Sequence, residues 1–387
     1  MASVDKSPVL RAFKPQLPST DALIPYLRAI DRAHIYSNHG ALVMELQRRL
    51  QKLLALPFNT AVPTGSGTAA LIAGILAHAG RATPERPLAL CPAHTFVATV
   101  AAVRQCGYEP YLVDVSDATW TADPDALLDH PILARVGLVV PVCAYGRALG
   151  LTVWERFQKR SGVPVVIDAA ASIEALAGGA MRVSEDVPLA LSFHATKAFG
   201  CGEGGCLVWA DPSKAMRGAQ TINFGFMGTR NSRTDSLNGK MSEYHAAVAL
   251  AELDGWAEKR AGLSASLDAY REAFVRRGLV TDALIGAPDI ASNYVLYRIG
   301  ADDPKIGVLR TMLAKAGIET RLWYGRGLQG HDILRDVSSD PLDVSERLAN
   351  TLLGLPMGCR LGKIETDRVA KVLAARAPGI FAGAKAA

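Results

Sequence analysis

Paired cysteines are missing from this sequence. Its six (Cys91, Cys106, Cys143, Cys201, Cys206 and Cys359) contain no Cys-x-x-Cys spacing, and most sit in apolar runs, where reduced, buried thiols are the expected state. Long apolar stretches are missing as well. No run of about eighteen residues passes without polar interruption, so no membrane-spanning helix is expected. Residues 1–18 carry Lys6, Arg11 and Lys14 with no apolar stretch behind them, unlike a secretory signal. A soluble, cytoplasmic protein is the expectation. Runs of one charge are absent too: 42 Lys and Arg against 37 Asp and Glu leave +5, spread along the chain. That provides no basic arm for nucleic acid. Neither common nucleotide fingerprint is complete. No Lys-Ser/Thr pair follows Gly65 and Gly67, which rules out a Walker A loop, and the third glycine of G-x-G-x-x-G is lacking.

What is present is a chain of 387 residues, 49% hydrophobic and 20% charged. It is too apolar for disorder and long enough for two or three domains around a large core. Up to about residue 250, short apolar runs alternate with helical patterns. Strands are predicted at 59–63, 87–91, 110–114, 137–143, 163–168, 189–193 and 205–209. Most are apolar on both faces, as strands of a covered parallel sheet are. Ala-rich helical stretches at 68–78, 96–106 and 153–161 lie between several of them. This alternation predicts an α/β doubly wound fold. Residues 241–277 read as almost wholly helical, and a smaller α+β portion follows with strands predicted at 293–298 and 319–323. The expected organisation is an N-terminal segment (1–20), a large domain (21–250) and a small C-terminal domain (251–387).

Ligands of open parallel sheets sit at the carboxyl ends of the strands, so those positions carry the functional reading. Strand 163–168 closes on Asp168, a carboxylate among apolar neighbours that needs a cation or donor. Strand 189–193 leads into Ser192, Phe193, His194 and then Lys197, followed by Gly200, Gly202, Gly204 and Gly205. Alone, Lys197 would read as a surface lysine, but the glycines let backbone fold tightly around its amine. The segment from Pro63 to Leu71 passes from strand to helix through small residues, exposing amides and the positive end of a helix dipole to a phosphate. An ordinary turn with a helix cap would look similar. Phe96 opens a helix at a strand end, suited to core packing or to stacking on a planar ligand.

Together these features ask for one ligand with a phosphate, a flat ring, a basic ring nitrogen and an aldehyde. Pyridoxal 5′-phosphate has all four. An Asp against the pyridine nitrogen keeps it protonated, and a lysine forms the Schiff base and then shuttles the proton. The order of phosphate turn, aromatic, Asp and Lys, with 29 residues from Asp168 to Lys197, suits neighbouring strands joined by a crossover.

At these residues the chain resembles the DegT/DnrJ/EryC1/StrS sugar aminotransferases, pyridoxal-phosphate enzymes of fold type I. The matching stretches are Ser-Gly-Thr-Ala-Ala-Leu (66–71), Pro-Ala-His-Thr-Phe-Val-Ala-Thr (92–99), Val-Asp-Val (113–115), Pro-Val-Cys-Ala-Tyr-Gly (141–146) and Asp-Ala-Ala (168–170). Ser-Phe-His-Ala-Thr-Lys (192–197), Gly-Glu-Gly-Gly (202–205), Asn-Gly-Lys-Met-Ser-Glu-Tyr-His-Ala-Ala (238–247) and Leu-Pro-Met (355–357) continue the series. The resemblance implies that Lys197 forms the Schiff base, Asp168 binds the pyridine nitrogen and Phe96 stacks on the ring. It implies that Gly67, Thr68 and Ser192 hold the phosphate. Asn238 would reach the phosphate of a neighbouring subunit, making a homodimer with shared active sites. Lys240 stands where relatives often carry an arginine near the donor carboxylate, keeping the charge without the bidentate fork.

Three positions depart from the family pattern. Ala171 replaces the Gln or His that contacts the ring hydroxyl, with His94 or Ser172 as candidate substitutes. Phe224-Gly225 replaces a common His-Gly. Thr320-Arg321-Leu322-Trp323-Tyr324 replaces a frequent Thr-Arg-x-His-Tyr. His94, Lys240 and Tyr324 are therefore the candidate substrate contacts. The expected activity is transfer of an amino group from glutamate to a keto-sugar, most simply a nucleotide-linked one. Three other readings stay open: a sugar dehydratase using the same cofactor, a non-catalytic protein that keeps pyridoxal phosphate or a sugar nucleotide, and a nicotinamide-binding oxidoreductase. Dehydratase relatives carry histidine in place of the Schiff-base lysine, and the last reading leaves Lys197 idle. The stretch 226–237, with Arg230, Arg233 and Asp235, suits either a nucleotide diphosphate or a solvated subunit rim.

Overall fold

A computed structural model describes residues 8–301 and 303–375. Residues 1–7 of the expected N-terminal segment and 376–387 of the expected small domain lie outside them. Seven strands build the main sheet: β1 (Ala61–Thr64), β2 (Leu88–Pro92), β3 (Glu109–Val113), β4 (Val136–Val139), β5 (Ile167–Asp168), β6 (Leu189–Ser192) and β7 (Gly205–Val208). β2 pairs in parallel with β3 and β4, and β5 in parallel with β6. Parallel bridges Val139–Val165 and Val142–Asp168 join the two groups. β7 runs antiparallel between β6 and β1. The order is thus β3-β2-β4-β5-β6-β7-β1, with β7 alone reversed, so β1, β2, β5 and β6 end at one edge.

Most of these strands are wholly buried, because helices cover both faces. The helix Gly67–His78 is buried from Ala69 through Leu76, as an element wedged against a sheet must be. One apolar cluster gathers Leu46, Trp154, Phe157 and Phe193, and another gathers Ile75, Val103, Leu138 and Trp209. A further cluster around Leu267, Tyr270, Leu313 and Leu373 forms a separate core after residue 260.

There the three-stranded antiparallel sheet β8 (Leu284–Ile285), β9 (Leu296–Arg298) and β10 (Leu352–Gly354), in the order β10-β9-β8, packs with helices Trp256–Arg276, Ile306–Lys315 and Lys363–Ala374. The stretch after residue 240 is almost wholly helical, as expected, in two helices, Glu243–Asp254 and Trp256–Arg276, parted at Gly255. One expectation needs correction. Residues 319–323 form no strand: Arg321 makes an isolated bridge to Gly354, and the chain then turns through Gly325 and Gly327, both at positive φ. The segment at Leu10 and Phe13 bridges to Ile318 and Met357, so it lies along the smaller core.

Candidate active site

The turn expected to hold a phosphate comes first in the chain. β1 ends at Thr64, and Ser66 caps the following helix, its Oγ accepting the Ala69 amide at 3.1 Å. The Ser66 carbonyl takes the Ala70 amide. The amides of Gly67 and Thr68, at the first turn, have no intrahelical acceptor and point out at the positive end of the dipole. Ser192, closing β6, lies against this turn. A Cβ at Gly67 would fall 2.6 Å from the Ser192 Cβ, so a side chain there would occupy the space where backbone amides and a hydroxyl converge. The tertiary fold thus brings together Gly67, Thr68 and Ser192 from two separated strand ends.

Asp168 lies at the end of β5, 8% exposed. The Thr99 hydroxyl donates to its Oδ2 at 2.7 Å and the Ala170 amide to Oδ1 at 3.2 Å. Burial pushes its ionisation above the ordinary carboxylate range; the Thr99 hydroxyl, the Ala170 amide and the nearby Lys197 pull the other way. Thr95 and Thr99 face each other at 3.0 Å between hydroxyls. Since Thr99 donates to the carboxylate, Thr95 donates to Thr99. Sequence reasoning missed Thr99, although it stands three residues after Phe96 in a quoted motif, one helical turn away.

Lys197 is half-buried. Its amide donates to the His194 carbonyl at 2.8 Å, while its Nζ makes no hydrogen bond or ion pair among the described residues. The adjoining loop is held from the smaller core: Asn293, 4% exposed, donates through Nδ2 to the Thr196 carbonyl at 2.8 Å. Asn293 is a second residue the sequence did not single out. A free amine, a buried carboxylate held by a hydroxyl, and an amide turn with a serine suit a pyridoxal phosphate: amine for aldehyde, carboxylate for ring nitrogen, turn for phosphate. Phe96, 59% exposed, leaves a ring face open at the same edge.

His94 and Tyr324 belong to an aromatic cluster. The His94 ring is 1% exposed and neither nitrogen has a partner among the described residues. It lies edge-on to Tyr324 at 5.1 Å and to Trp120 at 6.2 Å. Burial drives its pKa down to about 4, keeping it neutral near pH 7. The Tyr324 ring stacks on Tyr145 at 4.6 Å, and its hydroxyl accepts the Tyr145 amide at 3.0 Å. Ser172, the other candidate substitute for the side chain missing at Ala171, is wholly buried beside the Cys143 thiol.

Asn238 and Lys240 run beside the phosphate turn of their own chain. Lys240 bridges to Thr64, and the Gly65 amide donates to the Gly239 carbonyl at 2.8 Å. Lys240 Nζ donates to Asn238 Oδ1 at 2.8 Å and stands 4.3 Å from the Phe224 ring centroid. In the stretch 226–237, Asp235 pairs with Arg81 at 2.8 Å.

The sequence matches the DegT/DnrJ/EryC1/StrS aminotransferase family over residues 19–374. The chain belongs to this family. It is a pyridoxal-phosphate-dependent aminotransferase of fold type I. Protein Rv3402c of Mycobacterium tuberculosis (strain H37Rv) is 29% identical over 388 aligned positions, covering 97% of this chain and 90% of that protein. The dTDP-3-amino-3,4,6-trideoxy-alpha-D-glucose transaminase of Streptomyces venezuelae is 28% identical, covering 72% of this chain and 74% of its own. The crystal structure of DesI, solved in the presence of its TDP-sugar product, superposes with a TM-score of 0.82 at 29% identity, covering 96% of this chain and 93% of DesI. Among the aminotransferase's described residues no helix is long and apolar enough to cross a membrane.

Proposed function

We propose that this aminotransferase moves the amino group of glutamate to a nucleotide-linked keto-sugar, acting as a homodimer with shared active sites. Relatives named as dTDP-sugar and UDP-sugar transaminases support the sugar-nucleotide acceptor. The observation that carries the reading is the Lys197 amine, without a partner among the described residues and electrostatically coupled to Asp168, at the strand edge that also bears Gly67 and Ser192.

Each residue has a role by its chemistry. Gly67, Thr68 and Ser192 would hold the phosphate, with Asn238 of the opposite subunit completing the cradle. Bound pyridoxal phosphate supplies an electron sink that weakens the bond from the substrate's α-carbon to hydrogen. The Lys197 amine would anchor the aldehyde and then carry the proton to and from the substrate carbon as general acid and base. Asp168 would accept the pyridine N–H and so keep the ring cationic; Thr99 fixes the carboxylate's orientation. Phe96 would cover one ring face. Lys240, Tyr324 and His94 would be the substrate contacts, His94 from a buried position beside Tyr324.

The lysine at 197 favours transamination over the dehydratase alternative, and a completed half-reaction separates an enzyme from a protein that only stores the cofactor. The test is spectroscopic. The wild type incubated with pyridoxal phosphate is expected to gain a visible absorption band that glutamate bleaches, and Lys197→Ala to lack it. A wild type without the band, or a variant that keeps it, refutes the proposal. A panel of nucleotide keto-sugars assayed with glutamate then identifies the acceptor.

A further inference from the structure

The Lys240 ammonium stands 4.3 Å from the centre of the Phe224 ring. The contact is built by the backbone. The Phe224 amide donates to the Leu237 carbonyl at 3.2 Å, and Asn223 bridges to Asn238. Phe224 has φ +56°, the left-handed region that a non-glycine residue adopts only at a cost. The next residue is also left-handed, and a Cβ at Gly225 would meet Ser232 Oγ at 2.7 Å and the Thr234 carbonyl at 2.9 Å. The turn is therefore locked, and it presents the ring, 45% exposed, to the ammonium. Lys240 forms no ion pair among the described residues. Its contacts are the Phe224 ring and Asn238 Oδ1, which occupy one N–H and one face and leave other donors free. Burial lowers its pKa from the ordinary lysine value.

A partly exposed cation beside the phosphate turn, with no carboxylate to neutralise it, is a site for an oxyanion. We propose that Phe224 is a positioning residue: its ring holds the Lys240 ammonium so that Lys240 binds an oxyanion of one substrate. The inference rests on the aminotransferase reading above and deepens it. The oxyanion has two possible sources, the carboxylate of the amino donor and the diphosphate of the acceptor. A ring–ammonium contact is worth about 0.5–2 kcal/mol, depending on how far it is desolvated. Its loss should therefore weaken binding by about fivefold while leaving the chemical step intact.

The test uses Phe224→Leu, Lys240→Met, the double variant and Phe224→Tyr. Half-saturation by L-glutamate is read from bleaching of the visible band, and uridine and thymidine diphosphate are titrated calorimetrically. Phe224→Leu is expected to weaken one probe about fivefold, with the maximal half-reaction rate within about twofold, and Lys240→Met to weaken the same probe at least as much. The double variant should lose no more than the worse single, and Phe224→Tyr, which keeps an aromatic face, should bind as the parent does. Loss on glutamate assigns the donor carboxylate; loss on the nucleotides assigns the diphosphate. Unchanged binding in Phe224→Leu, additive losses, or loss of rate alone overturns the proposal. As a measurement independent of catalysis and of fold loss in one variant, reductively ¹³C-methylated Lys240 should resonate upfield in the parent and in Phe224→Tyr. A Lys240 signal lacking that ring-current shift in the folded parent also overturns it. Absence of the band in wild type defeats the aminotransferase reading instead, and leaves the ring-current result standing.

Discussion

The Thr99 hydroxyl donates to the Asp168 carboxylate at 2.7 Å, with both residues buried and Thr95 behind them. A donor to a carboxylate stabilises its charged form, here against burial, which favours the neutral acid. Removing the hydroxyl should raise Asp168's ionisation further and weaken its hold on a protonated ring nitrogen. Thr99→Val is expected to bind pyridoxal phosphate more weakly by about tenfold or more, since a hydrogen bond to a charged group is worth about 1.5–3 kcal/mol. Thr99→Ser should stay close to the parent. Titration of the visible band decides it, and equal affinity in Thr99→Val would contradict the role.

Gly67→Ala probes the phosphate turn. Its new methyl would sit 2.6 Å from the Ser192 Cβ, so the turn or β6 must shift. Overpacking of this kind costs about 1–3 kcal/mol. The expected result is a lower Tm together with cofactor affinity reduced by about tenfold or more, measured by thermal melts with and without pyridoxal phosphate. A melt and an affinity both unchanged would show that the turn has slack.

His94 should set part of the acid limit of stability. Its folded pKa, about 4, lies below the ordinary 6.5, so the unfolded chain binds the proton first. The neutral ring's contribution is complete above pH 6.5 and is lost as pH falls from there toward 4. The full swing is on the order of 3 kcal/mol. Denaturant melts across that range should show a shallower acid decline in His94→Asn than in the parent, and parallel curves would count against it.

The thiols should divide by burial. Cys91, Cys106, Cys143, Cys201 and Cys206 are buried, and burial pushes each to about 12. Cys359 alone is partly exposed. A thiolate-directed reagent near pH 8 is expected to label Cys359 in the native protein and all six thiols only after unfolding. Rapid native labelling at Cys91 would mean that the sheet edge opens.

Much of this was readable along the chain. Short runs apolar on both faces, such as 87–91 and 189–193, can only be strands of a covered sheet or buried helix, and their length favoured the strand. The stop at Asp168 and the glycine-rich return after Lys197 stand out because carboxylates and amines are rare beside such runs. Residues 319–323 misled because a short run ending in Leu322 and Trp323 says nothing about whether a partner strand lies alongside, and Gly354 offers a single bridge. Thr99 was invisible because a threonine in a helix is unremarkable until the carboxylate 69 residues away is seen to face it.

The amino-acid order alone decided the class of fold and the cofactor, and singled out Lys197 and Asp168, since local polarity and spacing survive in one dimension. Only the folded chain decided that β7 runs against its neighbours, that Thr99 meets Asp168, and that Lys240 lies on Phe224 rather than on an acid. Those are contacts between segments far apart or turned by a backbone, and they follow from how strands stack and where chains reverse, which no stretch of residues specifies by itself.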